Sequence, residues 1–165
     1  QARLLLAPRH PERVAQVSAV VAERGLDVVR RSEGREERPE AVVVLDTMGE
    51  LRAAYAFAAA GFVGGTLVPI GGHNLLEPPA VGVSVLFGPH TENCADAADL
   101  VSEMDVGFRV EGPEDMARQF LRIAPNAELR ASISARAARL VAEQRGAAAR
   151  CVDAAVELLA RGGPG

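Results

Sequence analysis

The sequence predicts an α/β fold built on a Rossmann-like, doubly wound parallel sheet of about six strands. Short apolar runs alternate with segments of helical periodicity along most of the chain, and this alternation favours parallel strands joined by right-handed crossovers. The run AVVVLD at 41–46 is almost uninterrupted in its apolar character, as expected for a strand buried on both faces. With 165 residues, the chain fits a single domain, 1–165.

The predicted strands are short apolar runs bounded by proline, glycine or charged residues. In chain order they lie at 3–8, 26–32, 41–46, 61–65, 83–88 and 106–110. The helices predicted between them have apolar residues three and four positions apart, and lie at 12–25, 48–60, 92–103 and 113–121. Gly25 ends the first helix, and Pro113 opens the last because proline suits the first helical position. The charged segment REERPE at 35–40 is predicted to be an exposed loop.

The C-terminal part, from Glu128 onward, is rich in alanine and predicted to be helical. Because glycine is a weak helix former, we expect two helices that are interrupted near Gly146, the second ending at Gly162. A further short helix is predicted directly after Glu77.

Composition and charge exclude several classes of function. The net charge of −4 predicts no general attraction to nucleic acid or to an anionic membrane. All the basic residues are arginines, which excludes a Schiff-base lysine and leaves guanidinium groups to bind phosphate or carboxylate. Cys94 and Cys151 stand alone, so neither a disulfide framework nor a zinc site is expected, and a reducing, cytoplasmic location fits best.

Glu77 is the only formal charge between Ala53 and Thr91, yet a membrane span is not predicted there. Glycines and Pro69 interrupt this segment too often for a spanning helix, which needs about 20 mainly apolar residues. No signal peptide is recognised at the N-terminus, because its apolar run stops at Pro8. A chain that starts without methionine and enters a strand at once is expected to be a fragment or an excised domain, although processing would give the same start.

The segment FVGGTLVPIGGHNLLEPPAVG at 62–82 carries the strongest functional signal. Gly64, Gly65, Gly71 and Gly72 are expected to adopt positive φ and to let backbone amides approach a ligand. A following helix start would add free N–H groups, so the loop suits a phosphate or carboxylate. A carboxylate at Glu77 would repel that anion, so Glu77 is expected to accept hydrogen bonds from neutral hydroxyls such as a ribose diol. The competing interpretation is structural: Asn74 caps the helix and Glu77 closes a capping box. Pro78 and Pro79 argue against it, since they suit the first helical positions and would make Glu77 itself the cap.

Other unusual residues follow the predicted strands, where α/β sheets bind ligands. Arg9 and His10 come directly after the first strand. They either bind a phosphate or carboxylate, or are a surface arginine and a solvated histidine without a ligand. Asp46 and Thr47 are predicted to cap the next helix with help from Glu50, while Met48 and Gly49 line the pocket through their backbone.

Several familiar sites are not predicted. His10, His73 and His90 lack the spacing of a metal triad. The chain contains no Gly-x-Gly-x-x-Gly after its first strand, no P-loop and no serine nucleophile elbow, which counts against nicotinamide-dinucleotide, P-loop and serine-hydrolase chemistry.

Five motifs together resemble the C-terminal half of the 3-deoxy-D-manno-octulosonic acid (Kdo) transferases. They are LLLAPRHPER, RRS, DTMGEL, FVGGTLVPIGGHNLLEP and FGPHTEN. The resemblance spans residues 4–93 in the same order of blocks and fades beyond about residue 110. It implies a GT-B glycosyltransferase, with two Rossmann-like domains facing a cleft, that transfers Kdo from CMP-Kdo to a lipid A precursor without a metal or cofactor. This chain would be the donor-binding domain.

The family pattern also implies which positions bind CMP-Kdo. These positions are Arg9, His10, Met48, Gly49, Gly71, Gly72, His73, Asn74 and Glu77. The acceptor-binding half, the membrane-associating segment and the catalytic base of the family precede these motifs, so we expect no catalytic residue and no transfer activity in this chain alone. Thr66 stands where the family pattern has serine, and Cys94 where it has phenylalanine.

Two alternatives from other classes remain. A GT-B enzyme that uses a UDP-sugar would share the glycine loop and the glutamate, and it would bind UDP better than CMP. A non-catalytic α/β binding module would use Glu77 and the glycines only for structure and would not bind nucleotides.

Overall fold

The computed structural model describes residues 3–34 and 40–161, so most of the charged loop predicted at 35–40 lies outside the described residues. The chain forms two compact units, divided between Ala54 and Tyr55. Each unit is an α/β structure with parallel strands, which confirms the predicted fold class.

The first unit has a three-stranded sheet. Its elements are β1 (Leu5–Leu6), α1 (Val14–Glu23), β2 (Val28–Arg30) and β3 (Val42–Val44), with 3-10 turns at Pro11–Arg13 and Arg31–Glu33; α2 (Leu51–Ala56) crosses the division between the units. The order is β1-β3-β2, with Val43 paired with Leu5 on one side and with Val29 on the other. The strand expected to be buried on both faces is therefore central, and all three residues of β3 are buried.

The second unit has its own three-stranded parallel sheet. Its elements are β4 (Ala60–Phe62), a 3-10 turn (Pro79–Val81), β5 (Ser84–Phe87), α3 (Ala95–Glu103), β6 (Gly107–Arg109), α4 (Pro113–Ile123) and α5 (Ala127–Arg161). β5 is central, pairing Val85 with Gly61 of β4 and with Gly107 of β6.

The core of the second unit packs helices against β5. Leu86 and Phe87 are fully buried and belong to the same cluster as Ile123 of α4 and Ile133 and Leu140 of α5. Burial of such side chains contributes about 1.5–3 kcal/mol each to folding. This cluster holds the carboxyl end of β5, from which one of the loops of the candidate site leaves.

Three details of the predicted fold are wrong. The strands form two three-stranded sheets rather than one of six, because alternation identifies strands but does not specify which of them pair. α2 covers six residues rather than 48–60, since the chain is already extended at Ala60. α5 runs from Ala127 to Arg161 through Gly146 without the predicted break, because one glycine costs a helix only about 1 kcal/mol relative to alanine.

The remaining elements lie close to their predicted positions. Pro113 is the first residue of α4, as expected, and α1 ends before Gly25, which adopts a positive φ of 71°. In the described part of the chain, no helix combines the length and apolar character needed to cross a membrane.

Candidate functional site

The site in the second unit is built from two loops that leave the carboxyl ends of β4 and β5. Thr66, which is fully buried, joins them. Its hydroxyl donates to the carbonyl of Val63 at 2.7 Å and accepts from the N–H of Gly88 at 2.8 Å, and its own carbonyl accepts from the N–H of His90 at 2.9 Å. A threonine at this position therefore keeps the hydroxyl that serine would supply and fixes one loop against the other.

Gly71 and Gly72 occupy a tight turn in the first of these loops, with φ of +91° and +77°. Asn93 from the other loop holds this turn: its N–H donates to the carbonyl of Gly71 and its side-chain amide to that of Ile70, both at 3.0 Å. A Cβ on Gly71 would lie 2.4 Å from the Asn93 amide nitrogen, and one on Gly72 would lie 2.7 Å from the Thr66 methyl. Both backbone conformation and close contact therefore require glycine here.

Two backbone features expected of the phosphate- or carboxylate-binding loop differ in the structure. The N–H of Gly72 donates to the carbonyl of Gly65 at 3.0 Å, so this amide is engaged within the loop. The segment after Glu77 is a 3-10 turn of three residues rather than a helix, with Pro78 at the cap position and Pro79 first in the turn. The expected helix N-terminus, with its set of free N–H groups, is therefore wrong.

Asn74 and Glu77 are both exposed at the end of this loop. The Asn74 carbonyl oxygen accepts the N–H of Leu76 at 3.0 Å, and its amide nitrogen lies 3.4 Å from Oε1 of Glu77. The first contact is a local side-chain-to-backbone turn. Neither Asn74 nor Glu77 is the predicted helix cap, because the cap position of the following turn is Pro78. Glu77 does not close a tight capping box, because its one described contact is this long bond from Asn74, and its carboxylate faces solvent as an acceptor.

Tyr55 packs beside Gly61 of β4 and interacts electrostatically with Glu77, which the sequence does not predict. Its ring packs against Gly61, where a Cβ would lie 2.8 Å from the ring and 3.4 Å from Pro78. Burial raises the pKa of Tyr55, and the negative charge of Glu77 raises it further. The only sequence signal for this residue is that it is the single tyrosine in an alanine-rich segment.

The two histidines of these loops have different surroundings. His73 is partly buried, with its Nε2 3.7 Å from the position of a Cβ on Gly65. His90 Nδ1 lies 3.3 Å from Oε1 of Glu92, whose pKa is lowered first by its own backbone N–H and then by His90. Within residues 3–34 and 40–161, no three His, Cys, Asp or Glu side chains are grouped as metal ligands would be.

Arg9 and His10 are exposed in the first unit, directly after β1. The carbonyl of His10 accepts the N–H of Arg13 at 2.9 Å, which starts the turn Pro11–Arg13. The ring nitrogen Nδ1 of His10 lies 3.6 Å from a carboxylate oxygen of Glu12, and both side chains are more than half exposed. Both predicted positions are thus accessible to a ligand.

The motifs RRS and DTMGEL are bonded to each other in the first unit. The backbone N–H and hydroxyl of Ser32 donate to Asp46 at 2.9 and 2.6 Å, and Arg31 pairs with Glu50 at 3.2 Å. The Ser32 hydroxyl is the main cause of a lowered pKa of Asp46. The predicted capping role of Asp46 is therefore wrong, because its carboxylate is occupied by Ser32 rather than by the N–H groups of α2.

Thr47 and Glu50 form the other half of this arrangement. The hydroxyl of Thr47 donates to Glu50, and this bond, followed by Arg31, lowers the pKa of Glu50. The carbonyl of Glu50 accepts the first helical bond of α2, from Ala54. Between Thr47 and Glu50, Met48 is 88% exposed and Gly49 has φ of +84°, so these two residues form a solvent-facing turn.

The protein is a Rossmann-like α/β domain of the kind found as the C-terminal half of GT-B glycosyltransferases. Two features define this class: parallel strands alternate with helices, and glycine-rich loops lie at the carboxyl ends of those strands. No family model matches the chain. Among solved structures, the chain is similar to the C-terminal CMP-Kdo binding domain of WaaA from Acinetobacter baumannii, with a TM-score of 0.78 and 30% identity over 83% of this chain and 72% of that one.

Curated sequences give the same family. The chain is 35% identical over 153 residues to a 3-deoxy-D-manno-octulosonic acid transferase from Bordetella pertussis. The aligned residues make up 92% of this chain and 36% of that protein. It is 37% identical over 118 residues to a bifunctional glycosyltransferase/methyltransferase from Fusobacterium nucleatum, covering 70% of this chain and 18% of that protein. The chain belongs to the 3-deoxy-D-manno-octulosonic acid transferase family, and it spans about a third or less of the length of these relatives.

Proposed function

We propose that residues 1–165 act as the donor-binding domain of a glycosyltransferase that transfers Kdo from CMP-Kdo to a lipid A precursor in lipopolysaccharide biosynthesis. The observation that carries this proposal is the TM-score of 0.78 to a domain described as binding CMP-Kdo. The transferase relatives at 34–35% identity over nine-tenths of the chain support it.

Glu77 is proposed to bind the cytidine ribose. Its carboxylate is exposed, and among residues 3–34 and 40–161 the one hydrogen bond it accepts is from the Asn74 amide at the long distance of 3.4 Å, so it retains capacity to accept two hydroxyl donors. The turn at Gly71 and Gly72, together with His73 and Asn74, is proposed to hold the donor phosphate. Because Gly72 uses its own amide within the loop, the side chains of His73 and Asn74 carry more of this role than the sequence indicated.

Arg9, His10, Met48 and Gly49 are proposed as further donor contacts, on the basis of the family resemblance and of their exposure in the first unit. A guanidinium beside the donor would stabilise the negative charge that develops on CMP as it leaves the anomeric carbon in an inverting displacement. The acceptor site, the catalytic base and the association with the cytoplasmic face of the inner membrane are assigned to the part of the family proteins that this chain does not match.

Calorimetric titration of the chain with CMP, CMP-Kdo and UDP tests the proposal. We expect CMP and CMP-Kdo to bind and UDP to bind more weakly. Glu77→Gln removes the charged acceptor and should weaken CMP binding by about 1–3 kcal/mol, roughly 5- to 150-fold. Glu103→Gln is the matched control, because Glu103 is an exposed glutamate at the C-terminal end of α3 and its loss changes the net charge equally.

The other outcomes are equally informative. Unchanged CMP affinity in Glu77→Gln would remove Glu77 from the site. A preference for UDP over CMP would favour a UDP-sugar enzyme of the same fold, and failure to bind any of the three nucleotides would favour a non-catalytic module.

A further inference from the structure

Two carboxylates flank the turn at Met48 and Gly49 in the first unit: Asp46, which follows β3, and Glu50, which precedes α2. The proposed function places this turn at the CMP-Kdo site. CMP carries a negatively charged phosphate, so a carboxylate charge beside the turn would repel it unless another group compensates that charge. Both carboxylates are engaged by one neighbouring segment, residues 31–32.

Ser32, in the turn after β2, binds both oxygens of the Asp46 carboxylate. Its backbone N–H donates to Oδ1 at 2.9 Å and its hydroxyl donates to Oδ2 at 2.6 Å. Two bonds from one residue fix the orientation of the carboxylate as well as its position. Because Arg30 of β2 pairs with Val44 of β3, these bonds join two loops at the carboxyl ends of neighbouring strands. The pKa of Asp46 is lowered chiefly by the Ser32 hydroxyl, and the positive charge of Arg30 lowers it further.

Arg31 and Thr47 engage the other carboxylate, that of Glu50. The Arg31 guanidinium donates from Nε and Nη2 to Oε1, at 3.4 and 3.2 Å, and the Thr47 hydroxyl donates to Oε2. The side chains of Arg31 and Glu50 are 50% and 40% exposed, so water screens their attraction and the pair contributes little to folding. Its effect is local: it holds the end of the turn and compensates one negative charge there.

We infer that Arg31 and Ser32 are positioning residues for the CMP-Kdo site, and this inference rests on the proposed function. Ser32 fixes the start of the turn through Asp46, and Arg31 fixes its end through Glu50. Arg31 also compensates the charge of Glu50, so this charge does not oppose the approach of an anionic nucleotide to the turn. Both residues act through the carboxylates that they hold, without contact to the nucleotide.

Nuclear magnetic resonance of the chain labelled with ¹³C at the methionine methyl groups tests the role of Ser32. Of the three methionines, Met48 is 88% exposed, whereas Met104 and Met116 pack against the core of the second unit. We expect CMP to shift the Met48 signal saturably. Ser32→Ala removes the hydroxyl and should weaken CMP binding about fivefold, with the Met48 signal of the unliganded chain closer to that of unstructured methionine. Ser32→Thr keeps the hydroxyl and the N–H and should restore both the affinity and the signal.

Titrations with CMP and with cytidine, which lacks the phosphate, test the charge compensation by Arg31. Arg31→Gln leaves the charge of Glu50 without its guanidinium and should weaken CMP binding about threefold, while cytidine binds as before. Adding Glu50→Gln to the same chain removes this charge and should restore the affinity for CMP. Arg24→Gln is the matched control, because Arg24 is exposed after α1 in the same unit and its loss changes the net charge equally. This control should bind CMP as the unaltered chain does.

The outcomes distinguish this inference from the proposed function. Equal CMP affinity in Ser32→Ala, Arg31→Gln and the unaltered chain would overturn the inference and leave the proposed function in place. An equal loss of CMP and cytidine affinity in Arg31→Gln that Glu50→Gln does not restore would also overturn it, because a general structural role would then explain the loss. Failure of the unaltered chain to bind CMP would refute the proposed function and this inference together. If Ser32→Ala does not fold, the Arg31→Gln titrations decide, since they alter only exposed or half-buried side chains.

Discussion

Replacing Gly71 by alanine tests the geometry of the candidate site most stringently. Gly71 has φ of +91°, and a side chain in the left-handed region costs about 1–2 kcal/mol. The new Cβ would also lie 2.4 Å from the Asn93 amide nitrogen, so the amide must leave its 3.0 Å bond to Ile70. Loss of that exposed hydrogen bond adds about 0.5–1 kcal/mol. We therefore expect Gly71→Ala to lower the free energy of unfolding by about 2 kcal/mol.

Urea unfolding followed by tyrosine fluorescence measures this change. Tyr55 is the only tyrosine and the chain has no tryptophan, so the signal reports on the second unit. In an Asn93→Ala background the clash disappears, and Gly71→Ala should then cost only the backbone term of about 1–2 kcal/mol. Gly64→Ala is the matched control in the same loop, because Gly64 has no positive φ and a Cβ there meets no atom within 4 Å. The reasoning is refuted if Gly71→Ala is no more destabilising than Gly64→Ala.

Three further predictions concern other parts of the chain. Asp46→Asn should lower the free energy of unfolding by about 1 kcal/mol at neutral pH, measured by urea unfolding. Because Ser32 holds the pKa of Asp46 below its ordinary 3.8, this contribution to stability is complete above pH 3.8 and is lost as the pH falls below that value. A stability difference between Asp46→Asn and the unaltered chain that persists at lower pH would contradict this role of Asp46. Iodoacetamide should modify the exposed Cys151 about tenfold faster than Cys94, whose thiol pKa is raised by burial, and equal rates by mass spectrometry would count against this environment. Gly146→Ala should stabilise α5 locally by about 0.5–1 kcal/mol in amide hydrogen exchange, whereas a break at this position would give no such protection.

The order of strands and helices could be read from the sequence, because local signals specify each element. AVVVLD gave the buried central strand β3, and Pro113 marked the first residue of α4. The pairing of strands into two sheets and the length of α2 depend on contacts between distant residues, which periodicity does not encode. At Gly146 a local signal gives the wrong prediction, because the strong helix formers on both sides keep α5 continuous through this glycine.

The candidate site shows the same division. Positive φ at Gly65, Gly71 and Gly72 confirms what the glycine-rich motif predicts locally, whereas the same prediction is wrong for Gly64, which has no positive φ. The role of Asn93 could not be predicted, since its two bonds reach residues more than twenty positions earlier in the chain. The bonding of Ser32 to Asp46 was missed for the same reason, because a carboxylate before a helix is usually read as its cap.

A crystal structure of the chain grown with saturating CMP tests the central claim most directly. We expect the ribose hydroxyls within hydrogen-bonding distance of the Glu77 carboxylate, and the phosphate beside the turn of Gly71 and Gly72 with His73 and Asn74 as neighbours. CMP bound at another surface, or no nucleotide at these loops despite saturation, would contradict the account.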